Sequence, residues 1–99
     1  MTKFINKVSD ITVADIADYL RLAELSQSDE NTLNNMLNVA INFIKNYTGQ
    51  TDLDQFNDLV AVVFVLVQDM YDNRSLYVDK SSINQFIQSA LSLHQVNLL

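Results

Sequence analysis

The chain has 99 residues, with twelve acids against six bases and a net charge of −6. That length holds one domain, and the absence of cysteine excludes disulfides and thiolate metal sites. The bases, Lys3, Lys7, Arg21, Lys45, Arg74 and Lys80, are scattered, so the basic face that a duplex binder or an anionic-membrane binder requires is missing.

There is no proline and one glycine, Gly49, so the two strongest helix breakers are nearly missing and the chain reads as all-α. Four helices are predicted. The first spans about Val13 to Ala23, with Thr12 as N-cap and Asp15 at the capping-box position. Ile16, Ala17, Leu20 and Ala23 recur at helical spacing, and Asp15, Asp18, Arg21 and Glu24 face elsewhere. The second spans about Asp29 to Tyr47, with Ser28 as N-cap and Asp29 and Glu30 against the positive end of the helix dipole. Its stripe is Leu33, Met36, Leu37, Ala40, Ile41, Ile44 and Tyr47, and the opposite face carries Asn34, Asn35, Asn38, Asn42 and Lys45. Gly49 stands where a left-handed residue closes a helix.

The third helix is expected from about Leu53 to Asn73, capped by Thr51 or Asp52. Its valines also suit a buried strand. The helical spacing that begins at Leu53 and Phe56, and a length of about 20 residues against about 5–6 for a strand, decide for helix. Leu59 to Val67 are nine consecutive apolar residues. That run is too short to cross a bilayer, which takes about 20, and too apolar all round for a surface helix. Either it is an ordinary core element or part of it is a subunit interface; a chain this short has little material to cover every face, which points toward an oligomer. The fourth helix is predicted from about Ile83 to His94, with Ser82 and Gln85 as a capping box and Ile83, Phe86, Ile87, Ala90, Leu91 and His94 along its stripe. Ser75 to Ser81 is a polar loop around Leu76, Tyr77 and Val78, able to pair as a short strand or project as an arm. The last residues, Gln95 to Leu99, are partly apolar and suited to docking on a neighbour.

No repeat, domain boundary or transmembrane segment is present, and the N-terminus lacks the apolar stretch of a secretory signal, so a protein used inside a cell is expected. The glycosylation sequons at Asn46 and Asn73 then read as chance matches. The residue types for catalysis are sparse. His94 is the single histidine, near a helix C-terminus where the dipole favours it, with no glycine-rich elbow nearby. Asp52, Asp54 and Asp58 cluster, yet the glycine and final Glu of a calcium loop are missing; they read as acids at a helix N-terminus. Asp69 and Asp72 are the one pair placed for acid–base work, and such pairs are common on solvated helices. No enzyme, cofactor or metal is expected. Tyr71 and Arg74 are three apart, so the guanidinium can cover the ring, either as a local helix-end pair or as a contact between subunits.

The order of these features resembles the small head–tail connector (head-completion, adaptor) proteins of long-tailed double-stranded DNA bacteriophages. The pieces that carry the resemblance are Asp15 to Leu22 (DIADYLRL), Ser28-Asp29-Glu30 before an amphipathic helix ending Tyr47-Thr48-Gly49, the apolar helix ending Met70-Tyr71-Asp72-Asn73-Arg74, and the last helix ending Leu91-Ser92-Leu93. No single piece is specific; the combination of YLR, YTG and YDNR is fairly so, and it covers nearly the whole chain. The resemblance implies a four-helix protein with a long central third helix, a homo-oligomeric ring (dodecameric on the portal), docking under the portal protein after DNA packaging, and a binding surface for the next neck or tail protein. It places the protein in the virion at the head–tail interface and, during assembly, in the host cytoplasm, with genomic DNA passing through an acidic lumen unbound and no membrane contact. Its candidate interface residues here are Tyr19, Leu20, Arg21, Tyr47, Gly49, Tyr71, Asn73 and Arg74. The family often has a proline before the third helix, which this chain lacks. The competing expectation is a small acidic helical binding module, a phage-encoded regulator of a host protein.

Overall fold

A computed structural model of the chain describes residues 5–78 and 83–96. Four α-helices follow in order, α1 Val13–Leu20, α2 Gln27–Thr48, α3 Leu59–Asn73 and α4 Gln85–Leu93, with short 3₁₀ turns at Val8–Asp10 and Leu53–Gln55. No strand occurs among the described residues. The helices alternate in direction: Leu22 just after α1, Asp29 and Leu33 in the first turns of α2, and Tyr71 at the end of α3 line one cleft. At the other end, Thr48 of α2 and Asp58 before α3 meet residues 94–96 beyond α4.

α1 begins as its capping box dictates. The Thr12 hydroxyl accepts from the Asp15 N–H at 3.2 Å, and the Asp15 carboxylate accepts from the Thr12 N–H at 2.9 Å. Those bonds let Asp15 lie buried at 5% exposure, rather than facing away from the core as its position in the pattern suggests. The helix closes three residues earlier than predicted: Arg21 turns left-handed at φ 61, donating to the Asp18 carbonyl, while the Leu22 N–H reaches back to Ala17. Ala23 is therefore outside the helix and exposed.

The N-cap of α2 is Ser26, not Ser28. Its hydroxyl accepts from the Asp29 N–H at 3.1 Å and its own N–H donates to Asp29 at 3.1 Å. Asp29 is thus the reciprocal partner of the box, which Ser28 would not have. Leu33, Met36, Leu37, Ala40 and Ile44 are buried, Ile41 and Tyr47 are half-buried, and the asparagine-rich face is exposed. Gly49 closes the helix at φ 74.

The long third helix is corrected. Leu53–Gln55 forms a separate 3₁₀ turn, with the Asp52 side chain accepting from the Asp54 N–H at 3.1 Å. Phe56 is extended, and α3 starts at Leu59 with 15 residues. α3 is nonetheless the central element. Eight of its residues, Leu59, Val60, Val62, Val63, Phe64, Leu66, Val67 and Met70, are buried within the single chain. Of the nine-residue apolar run, Ala61 is exposed and Val65 is half-buried. One chain does supply the cover that its length was expected not to supply, because α1, α2 and α4 all pack on α3. Burial of each Val, Leu or Phe in this intrachain core contributes about 1.5–3 kcal/mol.

α4 starts at Gln85, capped by Asn84, whose side chain accepts from the Ile87 N–H at 2.9 Å. The predicted cap Ser82 lies outside the described residues, as does the 79–81 part of the loop before it. Of Gln95 to Leu99, expected to dock on a neighbour, Gln95 and Val96 fold onto their own chain and residues 97–99 lie outside the described residues: the Val96 N–H donates to the Thr48 carbonyl at 2.7 Å and the Gln95 amide to the Tyr47 carbonyl at 3.3 Å.

Candidate functional site

The candidate interface residues divide among three places. Tyr19, 39% exposed, stacks on Phe64 with ring centroids 5.0 Å apart, and its hydroxyl donates to Gln68 at 3.1 Å. Leu20 is half-buried beside it. Tyr19 joins α1 to α3, and together with Phe64, Ala61, Val65 and the 53%-exposed Phe86 it borders an apolar groove along the outer face of α3.

Tyr47 and Gly49 sit at the end of the molecule where the chain returns. The Tyr47 ring leans on Phe43, 5.9 Å between centroids. A methyl on Gly49 would meet Val96 Cβ at 3.4 Å. His94 completes this end. Its Nε2 lies 2.8 and 2.9 Å from the two carboxylate oxygens of Asp58, its ring stacks on Phe56 at 4.1 Å, and its carbonyl accepts from the Gln50 amide at 2.9 Å. The lone histidine is thus a clamp holding the end of α4 to the start of α3, a role that no local spacing foretells, since the partners are 36 residues apart.

The three acids around this turn have separate partners. Asp52 caps the 3₁₀ turn, Asp58 holds His94, and Asp54 accepts from the hydroxyl and the N–H of Ser9 at 2.6 and 2.9 Å. The Ser9 bonds, the hydroxyl's first, hold the Asp54 carboxyl below the usual carboxylate range. Among the described residues, no group of three or more His, Asp or Glu is placed to hold a metal ion, and no helix is long and apolar enough to cross a membrane.

Tyr71, Asn73 and Arg74 lie at the opposite end. Asn73 donates to the carbonyl and carboxylate of Asp69 at 2.9 and 3.2 Å, tying up half of the Asp69/Asp72 pair. Arg74 is left-handed at φ 55 and closes α3, with the Ser75 N–H reaching the Met70 carbonyl. Its guanidinium stands over the Tyr71 ring, 5.4 Å from the centroid. Both face a cleft of ≈ 360 Å³ walled by Leu22, Leu25, Leu33, Met36 and Leu76, with Glu24, Asp29 and Thr32 at its polar edge. Arg21 closes α1 in the same left-handed way, exposed to solvent. The sequence singles out Tyr71 and Arg74 here but not Leu25 of the α1–α2 turn, nor Leu33 and Met36, which reach the cleft through the packing of α2 on α3.

Comparison with protein-family models, with curated proteins and with solved structures finds no match to this chain.

Proposed function

We propose that this chain is a structural adaptor of the neck of a long-tailed bacteriophage or prophage. It forms a ring under the portal after DNA packaging, extends the DNA channel and offers the attachment surface for the next neck or tail protein. It performs no catalysis. The reading begins from the YLR, YTG and YDNR pieces, and the all-helical fold is compatible with it. The observation that carries it is the placing of large apolar side chains on the outside of a protomer whose core is already complete. Tyr77 is 67% exposed beyond the end of α3, and Leu93 is 74% exposed near its start. Two separated apolar positions are what a head-to-tail ring needs, because a heterologous contact joins different surfaces of successive copies. An acidic chain suits a channel through which DNA slides.

The test is binding to portal rings, followed by electron microscopy, for the natural protein and for Tyr77→Asp and Leu93→Asp. Both substitutions sit on the surface and leave the circular dichroism spectrum unchanged. The adaptor reading expects a protein layer under the portal with the natural chain and its loss with either variant. A natural chain that ignores the portal overturns it.

The cleft beside Arg74 favours a second reading, an acidic helical module that holds one partner protein. That reading expects a one-to-one complex with a host protein and no affinity for a portal.

A further inference from the structure

We infer that the cleft between the α1–α2 turn, the start of α2 and the end of α3 is a docking site for an apolar peptide segment that carries a carboxylate. The inference rests on the geometry alone and stands apart from the adaptor reading. The cleft, ≈ 360 Å³, falls within the range of natural binding pockets. Its deepest residues, Leu33 and Met36, are 1% and 3% exposed, so its floor is fixed by the core and is present before anything binds.

The carboxylate is assigned by Arg74. The left-handed closure of α3 fixes its backbone, and its guanidinium carbon stands 5.4 Å from the centroid of the Tyr71 ring. A guanidinium carries five N–H donors in a planar fork. Among the described residues no carboxylate pairs with it. A planar, forked donor held beside an apolar floor matches a carboxylate attached to an apolar body.

The acids at the rim narrow the choice. Asp29 is turned to the Ser26 N–H, and Glu24 is exposed at the edge. These two acids disfavour a polyanion such as a nucleic-acid backbone, and they leave Arg74 as the one cation of the lining, to which a single carboxylate can bond. Leu76 of the cleft wall is 53% exposed, and its chain neighbour Tyr77 is 67% exposed. Two large exposed apolar side chains in succession give a peptide more to cover than a small carboxylate would.

The probes are acetyl-Leu-Phe-Glu-Leu-Leu-amide, the same peptide with Gln for Glu, and octanoate, each titrated into the full chain and followed by nitrogen–proton correlation spectra. The expected result is a Glu peptide that shifts the amide signals of Leu25, Leu33, Met36, Tyr71 and Leu76 and binds about ten-fold more tightly than the Gln peptide, the ratio of one charge-assisted hydrogen bond. Arg74→Gln removes that preference and leaves the weaker apolar binding in place; Arg74→Lys retains part of it. Shifts centred elsewhere, no binding at millimolar peptide, or a preference that survives Arg74→Gln overturns the assignment. Octanoate binding as tightly as the Glu peptide also overturns it, in favour of a small carboxylate. A protein that binds the peptide but not a portal keeps this inference and loses the adaptor reading.

Discussion

Among the described residues, three hold left-handed backbone, Arg21, Gly49 and Arg74, and each closes a helix. The cost differs by side chain. A Cβ in that region is unfavourable by about 1–2 kcal/mol, and glycine escapes it. Arg21→Gly is therefore expected to raise stability by about 0.5–1 kcal/mol in urea unfolding, the relief less the added freedom of the unfolded chain. Gly49→Ala is expected to lower stability by about 1–2 kcal/mol, from the left-handed φ of 74 alone, since the new methyl meets Val96 Cβ at 3.4 Å, an ordinary contact. Both changes with the opposite sign would mean that the two closures are not held as described. Asp54 gives a pH dependence. Its carboxyl titrates below the ordinary value of 3.8 because Ser9 donates two bonds to the charged form. A lowered folded-state pKa means that the unfolded chain binds the proton first. The stabilisation by Asp54 is thus present above the unfolded value and fades as pH falls through the folded one. Asp54→Asn should cost most stability near neutral pH, and the gap from the natural protein should narrow as pH falls below 3.8; a gap that widens on acidification contradicts the Ser9 assignment.

At the scale of elements, α3 decides where a charge can be placed. Val63 is 0% exposed, and a lysine there leaves a buried ammonium without a partner, a cost of several kcal/mol. Val63→Lys is expected to unfold the protomer as judged by circular dichroism. Ala61→Lys, two residues away on the exposed side, is expected to fold normally with a shift within about 0.5 kcal/mol. Equal behaviour of the two variants would mean that α3 is not packed as described. The sequence makes much of this legible. The spacing of α2, the Thr12–Asp15 box and the Gly49 closure are local signals, and each stands where it was read. The break between Leu53–Gln55 and α3 is not local. Leu53, Phe56, Leu59, Val60 and Val63 keep helical spacing, and no proline or glycine interrupts them. What breaks the helix is a capped turn at Asp52 and the bond from Asp54 to Ser9, 45 residues away. The same holds for His94, whose partners Asp58 and Phe56 lie far back in the chain. Ser26 is readable in principle, because the box it makes with Asp29 is an S-x-x-D pattern that begins two residues before Ser28.

For the whole molecule, the four alternating helices enclose their own core, and no buried side-chain polar atom among the described residues lacks a partner. A protomer of this kind needs no second copy to cover α3. Assembly, in the proposed account, uses what is left outside: Tyr77 and the Arg74 cleft at one end, Leu93 at the other, and the Tyr19–Phe86 groove along the side. The candidate residues differ in where they stand. Tyr19, Tyr71 and Arg74 reach the surface beside apolar neighbours, whereas Tyr47 and Gly49 serve the fold by receiving the returning chain. The most direct measurement is sedimentation velocity of the purified protein, alone and mixed with portal rings. The account predicts a compact, folded monomer or a ring in the first sample and a portal-bound species in the second. A monomer that sediments unchanged beside the portal would contradict it and leave a helical binding module in its place.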